Sequence, residues 1–185
     1  MSYKFLTLAI IGFILTACHA DLKSNPEATV NPQETRWPEF SSESLGGQIF
    51  GSTWKAQSAF IRQNSLDGKL VYIDLYPQKS SSAEACSSLF FGDTPYAWIA
   101  IPANYTASAD YKTDLDLDST STTKYPFSFI RTGFTLTASQ SRVFINKITT
   151  QGFNASFYGK GIDSDSKISE INGQIDVIDC LKTAP

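Results

Sequence analysis

Asp114, Asp116 and Asp118 lie two residues apart, and three carboxylates so spaced could converge on a calcium ion. A calcium-binding helix-loop-helix needs Gly at the sixth position of its loop and Glu at the twelfth. This register supplies Ser119 and Tyr125. Strict alternation gives the cluster a simpler role, with Leu115 and Leu117 toward a core and the acids toward water. Asp163-Ser164-Asp165 is interrupted in the same way by Lys167 and reads as a polar hairpin turn. Ser121-Thr122-Thr123-Lys124 has the spacing of a serine nucleophile with a lysine base, but it stands in a Ser/Thr run without companion motifs. His19 is the one histidine, so no Ser-His-Asp triad, Cys-His pair or His-ligated zinc can form farther along the chain. No glycine-rich phosphate loop is present. The expectation is a chain with no catalytic residue, no metal and no cofactor.

The chemistry that the sequence does mark is that of its three cysteines, Cys18, Cys86 and Cys180. Residues 1–17 carry one charge, Lys4, then an apolar run from Phe5 to Leu15 and small residues, the three regions of an export signal. The run is shorter than the roughly 20 residues of a spanning helix. Leu15-Thr16-Ala17-Cys18 resembles the lipobox of bacterial lipoproteins, in which cleavage before the cysteine precedes its acylation. The resemblance implies a membrane anchor made of lipid on Cys18. In that family an Asp after the cysteine favours inner-membrane retention, so His19 implies the outer membrane. Burial contributes about 0.8 kcal/mol per CH₂, and several acyl chains would hold a small domain durably.

Removing 17 residues from 185 leaves 168, enough for one domain with a sizeable core. Lys4 is the only charge removed, so 14 basic and 18 acidic groups remain, a net charge of −4. That mild acidity offers no footprint for nucleic acid. With Cys18 assigned to lipid, Cys86 and Cys180 are left in an oxidising compartment, where a disulfide between them is expected. Its loop is long enough to stabilise the fold by roughly 4 to 5 kcal/mol if the effect is chain entropy.

Three segments follow: the signal at 1–17, a lipidated flexible tether at 18–45 and a single β-rich domain at 46–185. Pro26, Pro32 and Pro38 among polar residues mark the tether, although Trp37 and Phe40 near its end are suited to docking. After Gly46-Gly47, short runs of Phe, Tyr, Ile, Val and Thr alternate with Gly, Asn, Asp and Ser, the pattern of antiparallel strands. Trp54, Ala56, Ser58 and Phe60 are expected on one face of a strand, and Leu66-Asp67-Gly68 at a turn. Val71, Ile73 and Leu75 then face inward, with Tyr72 and Tyr76 opposite them as a candidate binding surface.

Ser81-Ser82-Ala83-Glu84 has capping-box spacing for a short helix leading to Cys86. Further strands are expected at 96–101, 113–118, 126–131, 134–138, 142–149, 153–158 and 170–180, with Asn172-Gly173 as a hairpin turn or a bulge. Nine or ten strands make an all-β domain, an antiparallel β-sandwich or a small β-barrel. Gly51-Ser52-Thr53-Trp54 is similar to the Gly-x-Trp start of lipocalins over four residues, with different spacing.

The expected function is a non-enzymatic binding or structural module at the cell envelope, with an envelope protein or polysaccharide as partner. The alternatives are a lipocalin-like carrier of an apolar ligand and a carboxylate-based hydrolase of envelope polysaccharide. An apolar cavity would mark the first, and two close acids in a cleft the second.

Overall fold

The computed structural model of the chain describes residues 37–81, 86, 94–114 and 125–182. The signal, Cys18, most of the tether, the Asp116 and Asp118 part of the acidic cluster and Ser121–Lys124 lie outside them. The chain divides into two units at Trp37/Pro38. The second unit is all-β, and its described residues form eleven strands in one curled sheet: β1 Gly46–Ile49, β2 Ser52–Lys55, β3 Ser58–Asn64, β4 Leu70–Tyr76, β5 Tyr96–Pro102, β6 Asp110–Asp114, β7 Phe127–Arg131, β8 Phe134–Thr137, β9 Gln140–Ile148, β10 Gly152–Ile162 and β11 Ile168–Asp179.

The hydrogen-bonded order is β6-β9-β10-β11-β3-β4-β5-β7-β8, and the short hairpin β1–β2 joins along β11. Among the described strands the pairings are antiparallel except that of β11 with β3, where Ile178 and Asp179 lie beside Phe60 and Ile61; an isolated bridge of Ser44 with Gln174 is also parallel. The sheet curls into a half-barrel because one face of nearly every strand is apolar. Ile61, Ile73, Leu75, Ile99, Phe127, Phe129, Ile145, Phe153 and Phe157 point into the curl and are almost wholly buried. Rings from β7 reach β10 across the interior, where Gly159 leaves room for Phe127. At one end Phe50, in the β1–β2 turn, meets Phe134 edge-on at 5.5 Å, with the Arg131 guanidinium 4.5 Å over its ring. Phe50 and Gly51 have φ of 51° and 76°, the positive pair that a two-residue hairpin of this twist requires.

Several expectations are redrawn. Trp54 and Phe60 do not share a strand, since Ala56-Gln57 breaks the run and changes the face. Ala59 and Ile61 enter the main core, whereas Phe60 packs with Tyr76 in a second cluster. The domain begins before residue 46: Leu45 is fully buried, its N–H donates to Gln174 O at 2.9 Å, and Phe40 packs on Phe144. Asn172-Gly173 is neither a turn nor a bulge, for Gly173 stays in register opposite Phe157. A Cβ there would stand 2.7 Å from Leu45 Cα, so glycine admits the crossing of the 43–45 backbone. β6 starts earlier than expected, at Asp110, and residues 115–118 of the expected strand lie outside the described residues.

The turns at 66–68 and 163–167 stand where expected. Gly68 has φ of 68°, and Asp163 Oδ1 accepts the N–H groups of Asp165 and Lys167 at 3.0 and 2.8 Å. Of the expected capping box, residues 82–84 lie outside the described residues, while Cys86 itself is helical.

Candidate binding face

Cys86 and Cys180 form a disulfide across 94 residues, with Cα atoms 5.4 Å apart. It fastens the connection between β4 and β5 to the end of β11. Cys180, like Tyr96 and Ile178, packs against Phe60 and Tyr76, a cluster on the face of the sheet opposite the main core. Ser58 reinforces the attachment, its hydroxyl donating to Gln78 O at 2.7 Å and accepting the Ser80 N–H at 2.9 Å.

That outer face is built by alternation in β4 and β5 and by one irregularity in β3. Tyr72, Asp74 and Tyr76 are the outward set of β4, and Tyr96 and Trp98 that of β5, with Asp74 directly opposite Trp98. In β3 the register against β4 shifts between Ile61 and Gln63, so Arg62 is the extra residue of a bulge. Bulges re-aim side chains. The Arg62 guanidinium turns along the face, donating to Asp74 Oδ2 from Nη2 at 2.9 Å and from Nε at 3.3 Å, and also to the Tyr76 hydroxyl. Tyr76 stacks on Tyr96 at 5.2 Å.

Burial dominates the electrostatics here. It raises the Asp74 carboxyl above its ordinary range, although the Arg62 hydrogen bond and charge pull the other way. Burial likewise pushes the Tyr76 hydroxyl well up, helped by the nearby Asp74 charge, and raises Tyr96 for the same reasons. Neither tyrosine is prepared as a nucleophile or base near neutral pH.

Tyr72 and Trp98 are the more open part of the face. Both are partly exposed, and their rings meet edge to face at 5.5 Å. Ala100 stands across from Tyr72 in the register and leaves it room to reach Trp98 diagonally. The two tyrosines singled out by alternation therefore separate. Tyr72 remains available at the surface, while Tyr76 is 4% exposed and serves as the buried support beneath the face, contrary to the expectation of exposure. Arg62 was not among the residues that the sequence singled out; its one signal is a charge that closes the apolar run Ala59–Ile61 on the strand hairpinned to Asp74.

A second polar group lies near the disulfide. The Tyr105 hydroxyl donates to Asp179 Oδ2 at 2.6 Å, and Lys182 Nζ donates to that hydroxyl at 2.6 Å and lies 3.3 Å from the carboxylate. Burial, then the hydrogen bond and charge of Asp179, hold the Tyr105 hydroxyl well above its usual range. Among the described residues, no three His, Cys, Asp or Glu side chains gather as metal ligands would. Among them, too, no helix is long and apolar enough to cross a membrane. No family model, curated protein or solved structure matches the chain.

Proposed function

We propose that the chain is a bacterial envelope lipoprotein, cleaved before Cys18 and acylated there, whose curled sheet is a non-enzymatic binding module. The outer membrane is the proposed location, from His19 after the cysteine. The disulfide between Cys86 and Cys180 supports an oxidising compartment. The observation that carries the binding role is the partly exposed Tyr72–Trp98 pair, which lies on the same face as the largely buried Arg62–Asp74–Tyr76 network, with Asp74 opposite Trp98. Aromatic rings backed by a rigid polar network give contact area at small entropic cost, which suits a protein or polysaccharide partner of the envelope.

A carrier of an apolar ligand is less well supported, because Phe127, Phe129, Phe153 and Phe157 fill the curl from both sides. A carboxylate-based hydrolase is also less well supported. Asp74 is held by Arg62, and Asp179 by Tyr105 and Lys182, in two separate settings.

Two measurements test the proposal. Mass spectrometry of membrane-extracted protein should find residues 1–17 absent and Cys18 acylated, with Cys18→Ala shifting the protein to the soluble fraction; a mature chain without lipid would refute the anchor. Photo-crosslinking in cells from position 72 should give one dominant adduct that Trp98→Ala diminishes. No adduct, or one indifferent to Trp98→Ala, would remove the outer face as the binding surface.

A further inference from the structure

Among the described residues, nothing pairs with one strand edge of the hairpin β1–β2. In its ladder Ala56 N–H donates to Leu45 O at 2.9 Å, and bonded pairs recur at every second residue, so Trp54 pairs this way with Gly47 and Ser52 with Ile49. Thr53 and Lys55 therefore turn their N–H and C=O groups away from β1. One step along, Gln57 N–H donates to Tyr76 O at 2.8 Å, at the last residue of β4. Pro77 follows with no N–H to offer, and the pairing stops. Among the described strands, β2 pairs with β1 alone.

Beside this edge lies a cleft of about 330 Å³, formed mostly by Ile49, Trp54, Pro77, Thr94 and Pro95. The Trp54 indole lines it and donates to Pro95 O at 2.9 Å. Lys55 carries the one charge among the described residues lining the cleft, and no described carboxylate pairs with it.

We infer that this edge receives an extended peptide segment of a partner protein, added as a new strand beside β2. The recognising groups identify the class of ligand. Backbone donors and acceptors that repeat every second residue along a strand are matched by another polypeptide backbone. The apolar cleft takes alternate side chains of that segment, and Lys55 calls for an acidic group at one of them. Four outward backbone groups on Thr53 and Lys55 set the contact at a few residues, a small site for a short motif.

The test uses the full mature chain and a phage-displayed library of random 12-residue peptides. Enriched sequences should alternate apolar residues and carry an acid. As synthetic peptides they should slow amide exchange at Thr53 and Lys55. Thr53→Pro removes an outward N–H and no bond to β1, so it should keep the melting temperature and weaken binding at least tenfold; Lys55→Glu should weaken it as well. Trp98→Ala should leave binding unchanged, which separates this site from the outer face. Should Thr53→Pro lose its fold, N-methylation of alternate peptide amides makes the same test from the ligand side. Absence of enrichment, or affinity indifferent to both Thr53→Pro and N-methylation, would overturn the inference.

Discussion

The Phe127 ring presses on Gly159 from across the curl, with ring carbons 2.8 Å from the point that a Cβ would occupy. These residues belong to β7 and β10, which do not pair, so their contact is a measure of how tightly the sheet closes on itself. Gly159→Ala should destabilise the domain by about 1 to 3 kcal/mol through overpacking. In a domain of this size each kcal/mol is worth roughly 2 to 4 °C in Tm, which a thermal melt resolves. Gly161→Ala is the milder comparison, since its nearest neighbour is the Leu136 side chain at 3.3 Å. Phe127→Leu should recover part of the loss when combined with Gly159→Ala.

The disulfide joins chain positions 94 residues apart, and replacing Cys86 or Cys180 by Ser should cost about 2 to 5 kcal/mol. Denaturant unfolding of the oxidised protein and of each variant measures the difference. Alkylation of the native chain without reduction should leave both cysteines unmodified; two alkylated thiols would contradict the bond.

Arg62 and Asp74 have side chains only 14% and 15% exposed, so removing one partner strands the other in a poorly solvated place. Arg62→Met should cost about 2 to 4 kcal/mol, toward the lower end of the range for buried pairs because some solvent reaches both groups. It should also raise the Asp74 carboxyl further, since the hydrogen bond and charge that lower it are both supplied by Arg62. Asp74→Asn keeps an oxygen that can accept from Arg62 but leaves the guanidinium without its counter-charge, so it too should destabilise the domain. Chemical denaturation gives the energies, and carboxyl NMR titration follows Asp74 directly.

Asp67 caps the β3–β4 turn, accepting the Ser65 hydroxyl at 2.7 Å and the Lys69 N–H at 3.1 Å. The Ser65 hydrogen bond is the chief reason that its carboxyl is held at about 2. A folded value below the ordinary carboxylate range means the turn's stabilisation is complete above about pH 4 and is lost as the pH falls through about 2. NMR titration of Asp67 should show that midpoint, and Ser65→Ala should move it upward.

Much of the architecture was legible in local pattern. Alternation assigned Val71, Ile73 and Leu75 to the interior, and Asp67-Gly68 and Asp163–Lys167 declared their turns, because both signals act over a few residues. The pairing of Cys86 with Cys180 followed from counting once Cys18 was set apart. Local pattern could not foresee that Ala56-Gln57 interrupts the first long run and sends Phe60 to the outer face. Two residues outside any strand leave composition unchanged and free the chain from strict alternation, so Trp54 faces the main core while Ala59 and Ile61, not Phe60, face it after the break.

Tyr72 and Tyr76 show the limit most directly. Both sit on the outward side of β4, as their spacing in the sequence determines. Their different exposures were decided by tertiary structure, by the bulge at Arg62 and by a disulfide that brings Cys180 against the Tyr76 cluster. Alternation specifies a face, but solvent access depends on what the rest of the chain lays over that face.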